Sequence, residues 1–365
     1  MPETPDSTSL PWKGKVGHVS QIGGIETSVL DNGPGRGVRI AWVDTGAGLR
    51  YKVVLDRAMD IAEAFYLQHG LSWISQVGIT PPSRFSDKGV DWLRTFTGGF
   101  LTTCGLSHVG GPEEDDFGQR GLHGHISNLP AEVVSIKQPD PFSGDLDMHI
   151  SGVIRETKVF GPHLMLKRTI SGKLGQPFLE IKDEVVNQSN ITVPHMLLYH
   201  FNFGWPLVDE GTEIIWKGDW SARDGSKNNR IFNRNNNFKK CPAPLQAHAG
   251  TGEDVAFIKP EADHSGSCKA GFYNPKLDLA TVLIFKKEQL PWLVNWQHWG
   301  ENEYVTALEP ATHPPIGQSQ AREERTLIEL GPGEKREYEL RFEILGTETE
   351  KKSLLEINNY STIQQ

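Results

Sequence analysis

The chain predicts a mainly β protein, an antiparallel sandwich or barrel, and three observations carry that prediction. Short segments alternate apolar and polar residues with period two, turn formers separate them, and no strand–helix–strand rhythm appears. The 38 glycines and 23 prolines among 365 residues fit a chain with many turns.

Residues 1–24 are polar and are expected to form a poorly structured lead-in. From Ile25 onward, strands are predicted at Gly37 to Val43, Tyr51 to Leu55 and Ile61 to Tyr66. Val54-Leu55-Asp56-Arg57-Ala58-Met59-Asp60, taken as a strand, puts Asp56, Ala58 and Asp60 on one face and Arg57 on the other. Further strands are expected at Val133 to Ile136, Leu146 to Ile154 and Lys158 to Ile170. Leu179 to Pro206 reads as two antiparallel strands joined by the turn formers Asn187-Gln188-Ser189-Asn190. In the second of these, Leu197, Tyr199, Phe201 and Phe203 share one face, and Met196, Leu198, His200 and Asn202 share the other. The Asn-rich stretch 227–240 reads as a long surface loop. Tyr338, Leu340, Phe342 and Ile344 mark the last strand, and Gly331-Pro332-Gly333-Glu334 suits a hairpin joining it to Arg325 to Leu330. Glu350 to Asn358 is the one helical pattern. No composition shift divides residues 25–346, so a single domain is expected, followed by a tail or short helix over 347–365.

A net charge of −9 with no dense Lys/Arg stripe argues against nucleic acid and anionic membrane as partners. Cys104, Cys241 and Cys268 are odd in number and lack CxxC spacing, which fits a reducing compartment and no disulfide framework. The start lacks a basic and apolar leader, and no run reaches the ~18 apolar residues of a membrane span. A cytoplasmic protein with a small-molecule partner is expected, its oligomeric state open and a homodimer among the options.

Four segments concentrate chemistry-bearing residue types. Arg57 lies in the first, and Trp92 to His108, with Arg94, the Gly98-Gly99 pair and His108, is the second. Gly121-Leu122-His123-Gly124-His125 is the third; in extended conformation His123 and His125 point the same way, suiting either a metal or sugar hydroxyls. In the fourth, Glu309 ends an apolar strand before Pro310, where partial desolvation would raise its pKa. Trp292 to Trp299, with Trp296, offers aromatic rings beside amides, a mixture that suits a pyranose. No GxSxG elbow, phosphate loop or dinucleotide fingerprint is present, so no cofactor is expected. A His–Glu pair without nucleophile or cofactor is best suited to proton transfer on a polyol or aldose. Phosphosugar binding would call for a basic cluster, and Arg223, Lys227 and Arg230 are close in sequence.

VVNQSNITVPHMLLYHFNFGWP, GLHGHISN, ALEPATHPPIG and LGPGEKREYELRFEI, in this order, resemble the aldose 1-epimerase (galactose mutarotase-like) superfamily over roughly residues 25–346. LDRAMDIAEA and GGFLTTCGLSHVGGP are similar to a bacterial branch described only as aldose-1-epimerase-like. The resemblance implies a β-supersandwich with few short helices and a carbohydrate substrate. It implies His200 as the acid at the ring oxygen, Glu309 as the base at the C1 hydroxyl, and His123 as a substrate-hydroxyl ligand. Arg94 matches the family's substrate arginine best, with Arg57 as rival, and Asp224 is a candidate for its substrate aspartate. Asn202, Trp296, His108 and His125 complete the expected substrate site. His108 and His125 depart from the plain mutarotase pattern and keep open a metal-assisted isomerase, epimerase or lyase; a non-catalytic sugar-binding protein is the remaining option.

Overall fold

The computed structural model describes residues 11–223, 230–233 and 236–359. Strands β1 (Gly24–Val29), β2 (Arg39–Asp44), β3 (Leu49–Val54), β4 (Asp60–Tyr66) and β5 (His69–Gly70) form an antiparallel sheet in chain order. Next come β6 (Thr102–Leu106), the small pair β7 (Glu113–Asp115) and β8 (Gly118–Arg120), β9 (Glu132–Lys137), β10 (Asp147–Thr157) and β11 (His163–Lys173). They are followed by β12 (Phe178–Asn187), β13 (Val193–Phe203), β14 (Glu213–Trp216), β15 (Gly218–Ala222), β16 (Asp254–Pro260) and β17 (Ser267–Asn274). The chain closes with β18 (Leu279–Lys286), β19 (Trp292–Gly300), β20 (Glu303–Ala311), α1 (Gly317–Glu323), β21 (Ile328–Leu330), β22 (Lys335–Leu345) and α2 (Glu348–Asn359). An eight-stranded antiparallel sheet runs β14-β17-β18-β22-β12-β11-β10-β9, and a second large sheet runs β15-β16-β19-β20-β13-β21, with β6 also paired to β13. Among the described residues no helix is long and apolar enough to cross a membrane.

Strand β13 divides the interior. Leu197, Tyr199, Phe201 and Phe203 face the main core, packed with Leu166, Ile170 and Ile181 of the eight-stranded sheet and Val53 of the first. Phe100 meets Phe201, Phe203 and Phe342 edge-on at 5.4, 5.6 and 4.7 Å between ring centres, each pair worth about 0.5–1.5 kcal/mol beyond its buried area. On the other face Met196 and Leu198 join Cys104, Val255, Val294 and Ala311, and loop residues Trp92 and Phe96 close over them. The alternation expected for β13 therefore holds at each of these positions.

Several pairings depart from the sequence reading. β12 and β13 are not a hairpin: β12 pairs with β11 and β22, and β13 pairs with β20, β21 and β6. Asn187 makes the link a crossing between sheets, its amide donating to Ile191 O and Leu330 O while Oδ1 accepts from Ser189. Likewise β21 pairs with β13, so the Gly331–Glu334 turn joins two sheets rather than a hairpin. Residues 55–59 form a turn, with Ala58 and Met59 at φ 51° and 57°, where a strand was expected. Residues 158–162 are the tip between β10 and β11 instead of the start of a strand.

Candidate functional site

The site grows from strand register. β13 and β20 run antiparallel with Leu198 opposite Ala311 and Phe201 opposite Leu308, so His200 lies level with Glu309. Both side chains leave the face away from the main core, and His200 Nε2 is 3.4 Å from Glu309 Oε1. Their side chains are 9% and 4% exposed. Glu309 Oε1 has no hydrogen-bond partner, nor has His123 Nδ1, although both atoms are buried. Buried polar atoms normally find partners, so two unpartnered ones on residues that both neighbour His200 make this a candidate place for a polar ligand.

Aromatic rings wall this place. Trp296 and Phe96 lie 5.6 and 5.3 Å from the His200 ring, and His123 meets it edge-on at 6.5 Å. Trp92 stacks on Phe96 at 4.3 Å and touches His123 at 5.0 Å. Trp73 packs against both Phe96 and Trp296. Gly98 is needed for this packing: at φ +70° a Cβ there would sit 2.5 Å from the Trp73 ring. Glu253 ties the rim together, accepting from Trp296 Nε1 and from Arg223 Nη2, each at 2.7 Å.

Burial sets the electrostatics. Desolvation pushes the Glu309 carboxyl well above the usual carboxylate range; nearby Glu253 adds to this and Arg223 opposes it. Desolvation pulls the His200 imidazole down to about 3, against the opposing effect of the Asn202 side chain acting as an acceptor. His123 falls to about 3 through burial first, then the proximity of His200, His108 and Arg223. The site thus favours Glu309 as the neutral acid and both histidines as neutral imidazoles.

Of the expected residues, the structure gathers His200, Glu309, His123 and Trp296. It separates the two histidines of the HGH segment. His123 and Gly124 take φ of 56° and 67°, which turns the chain, so the extended reading fails. His123 faces Trp92 and His200, whereas His125 stacks on Phe85 with its Nδ1 3.9 Å from Asp87. His125 and His108 instead line a separate cavity of about 60 Å³ with Arg120 and Glu156. His108 is held by Gly111 O at 2.8 Å. Among the described residues no group of three or more His, Cys, Asp or Glu side chains is arranged to hold a metal.

Arg57 is not at the surface of a site. It is 4% exposed, and its guanidinium donates to Ser127 O, to Thr80 at 2.9 Å and to Thr95 O at 2.9 Å, tying loops together. Arg94 points outward: its side chain is 82% exposed and pairs with Asp91 at 3.2 Å. Asn202 is fully buried, with its amide donating to Gly98 O, Gly99 O and His200 O, so a sugar cannot reach those hydrogens. Asp224 lies outside the described residues. Trp73, Trp92, Phe96, Arg223 and Glu253 are the site residues that were not assigned to it from the sequence.

A model of the family described as "Domain of unknown function (DUF4432)" matches residues 35–344. A structure from Klebsiella pneumoniae subsp. pneumoniae, provisionally named an aldose 1-epimerase, superposes with a TM-score of 0.82 at 23% identity, covering 93% of this chain and 88% of that one. A galactose mutarotase-like protein from Clostridium acetobutylicum gives a TM-score of 0.63 at 15% identity, covering 88% and 98%. Galactose 1-epimerase from Lactobacillus acidophilus gives 0.56 at 13%, covering 88% and 98%. At these identities the likeness establishes the fold, the galactose mutarotase-like β-supersandwich. No curated protein matches the sequence.

Proposed function

We propose that this chain, which belongs to the DUF4432 family, is an aldose 1-epimerase-like isomerase that interconverts the anomers of a free sugar or sugar derivative. The observation that carries the reading is the His200–Glu309 pair, 3.4 Å apart, buried, and with Glu309 Oε1 unpartnered. The two oxygens that must exchange protons in anomer interconversion share one carbon. A pair of groups this close can therefore serve both. The aromatic walls suit the apolar face of a pyranose, and His123 Nδ1 is left to meet a hydroxyl.

The pair holds one proton between its two members. Burial favours that proton on Glu309 and leaves His200 neutral, the reverse of the allocation the family resemblance implies. In this allocation His200 Nε2 takes the proton from the C1 hydroxyl while Glu309 protonates the ring oxygen. The C1–O5 bond breaks and the C1 carbonyl forms. After rotation about C1–C2, O5 attacks the other face, returns its proton to Glu309, and the imidazolium returns its own to O1. The open-chain stage holds a His⁺–Glu⁻ pair whose attraction in a poorly solvated place offsets the charge separation. His123 faces His200 while His108 and His125 line another cavity, so the three do not meet at one point and the proton-transfer reading is preferred to a metal-assisted one. Three free, buried cysteines suit a reducing compartment such as the cytoplasm.

Polarimetry or saturation-transfer NMR across a panel of aldoses and sugar acids tests this. Accelerated anomer exchange that is lost in Glu309→Gln is expected. Sugar binding without turnover would replace the enzyme reading with that of a binding protein, and an inert chain across the panel would sink both.

A further inference from the structure

We propose that Asn202 is a positioning residue that fixes the tautomer of His200, accepting a hydrogen bond from Nδ1–H so that Nε2 presents its lone pair to Glu309 and the sugar. The consequence for turnover rests on the mutarotase reading above; the tautomer itself does not.

Asn202 follows His200 by two positions on β13, so both side chains leave the same face. The orientation of its amide is set by its neighbours. Nδ2 lies 3.1 Å from Gly98 O, 3.1 Å from Gly99 O and 2.9 Å from His200 O. All three are acceptors, so the NH₂ end must face them; the flipped amide would crowd four acceptors with no proton among them. That leaves Oδ1 on the opposite side, buried and without a hydrogen-bond partner.

His200 Nδ1 is buried and unpartnered as well, and the Asn202 side chain acts on this ring as an acceptor would, raising its pKa against the effect of burial. Two orphans on neighbouring side chains satisfy each other only if Nδ1 carries the proton. In the alternative tautomer the Nδ1 and Oδ1 lone pairs face one another and both stay unsatisfied, a cost comparable to a lost hydrogen bond. With Nδ1–H fixed, Nε2 is an acceptor 3.4 Å from Glu309 Oε1. The proton between them then belongs to Glu309. The other titratable or charged groups around His200 are His123 from the turn at 121–125, Cys104 from β6, and Arg223 with Glu253 on the rim. None of them hydrogen-bonds His200 Nδ1. The glycine pair Gly98-Gly99 thereby gains a role at the site: its carbonyls aim the amide that aims the histidine.

Long-range ¹H–¹⁵N correlation spectra of protein labelled with ¹⁵N-histidine read the tautomer directly, with the His200 signals identified by their loss in His200→Asn. The expected wild-type result between pH 5 and 8 is a neutral ring protonated at Nδ1; a ring protonated at Nε2, or an imidazolium at pH 7, overturns the proposal. In Asn202→Leu the Nδ1–H preference should vanish and kcat should fall at least about tenfold with KM changed less than about threefold. In Asn202→Asp the His200 titration should move up by at least about one pH unit, because a carboxylate would then face Nδ1–H. A variant that melts lower yet keeps the Nδ1–H tautomer would make Asn202 merely structural and refute the inference. Should either variant fail to fold, the wild-type spectrum decides alone. An Nδ1–H ring in a protein that turns over no sugar would keep the positioning role and refute the mutarotase reading; turnover with an Nε2–H ring would do the opposite.

Discussion

Tyr199 and His200 are neighbours on β13 and serve two buried polar clusters that differ in one respect. On the Tyr199 side, Arg168 is entirely buried and donates to Asp183 at 2.7 Å, Asp60 at 3.2 Å, Ala58 O at 3.0 Å and Thr103 Oγ1 at 2.9 Å. Tyr199 adds a 2.7 Å hydrogen bond to Asp183. Every charge there has an opposite partner. On the His200 side, one face of the same strand away, Glu309 Oε1 and His123 Nδ1 have no hydrogen-bond partner. A buried cluster whose polar groups are all paired holds a fold together, whereas unpaired buried groups ask for an explanation. The difference is what motivates the proposed catalytic role of the His200 side.

Two substitutions would break that contrast if it were mistaken. His200→Asn should lower turnover by ~10²–10⁴-fold, the usual contribution of a positioned acid or base, while leaving the thermal midpoint unchanged or higher. A proportional loss of turnover and sugar affinity would make His200 a binding residue instead. Arg168→Met should do the reverse and destabilise by about 3–5 kcal/mol, because it strands Asp183 and Asp60 as uncompensated buried charges. Denaturant titration checks this. An unchanged midpoint would mean that the core carboxylates simply take up protons, and that completeness of the cluster contributes little.

Acid sharpens the comparison using two histidines of the same strand. His195 faces the core, its Nδ1 donating to Leu106 O at 2.9 Å and its Nε2 accepting from Tyr338 at 2.7 Å. Burial lowers both His195 and His200 to about 3. Unfolding returns them to about 6.5, so between these values the unfolded chain binds more protons and stability falls as pH falls. Each ring contributes on the order of 1.4 kcal/mol per pH unit across that window. Glu309 has the opposite sign, since its raised pKa favours the folded state at low pH and the advantage fades as pH rises through that raised value. Urea midpoints at pH 7, 5 and 4 should drop steadily, and His200→Asn should remove one ring's share of the slope. An identical slope in that variant would mean that His200 titrates normally in the folded protein.

The sequence discloses strands and faces far better than partners. Period-two alternation placed β13 and both its faces, and it placed His200 and Glu309 on sheet positions that register later brought level. It could not say that β12 and β13 belong to different sheets, because alternation records inside and outside but not the neighbouring strand. The Arg168 cluster was nevertheless partly visible. Leu164, Leu166, Arg168 and Ile170 alternate, as do Leu179, Ile181, Asp183 and Val185, so two inward positions carry opposite charges. In the structure Arg168 and Asp183 face each other across β11 and β12. Asp60 lies 108 residues from Arg168 and had no local signal. The HGH segment misled for a backbone reason: left-handed φ at His123 has no period to betray it, although the adjacent glycines hinted at a turn.

The smallest expected effect separates the two rival arginines. The family resemblance favoured Arg94, yet its side chain is 82% exposed on a 3₁₀ turn and pairs with Asp91, three residues earlier. Exposed pairs of this kind are worth about 0–1 kcal/mol, so Arg94→Ala should shift stability by less than about 0.5 kcal/mol and leave kcat and KM unchanged. Arg57, held by three backbone carbonyls in the interior, should when replaced by Met lower the melting temperature without a specific rise in KM. The cation whose field reaches Glu309 and His123 is Arg223. A rise in KM of more than about threefold in Arg94→Ala, at constant stability, would mean that the turn carrying it folds over the bound sugar and that the substrate recruits an arginine the free site leaves in solvent.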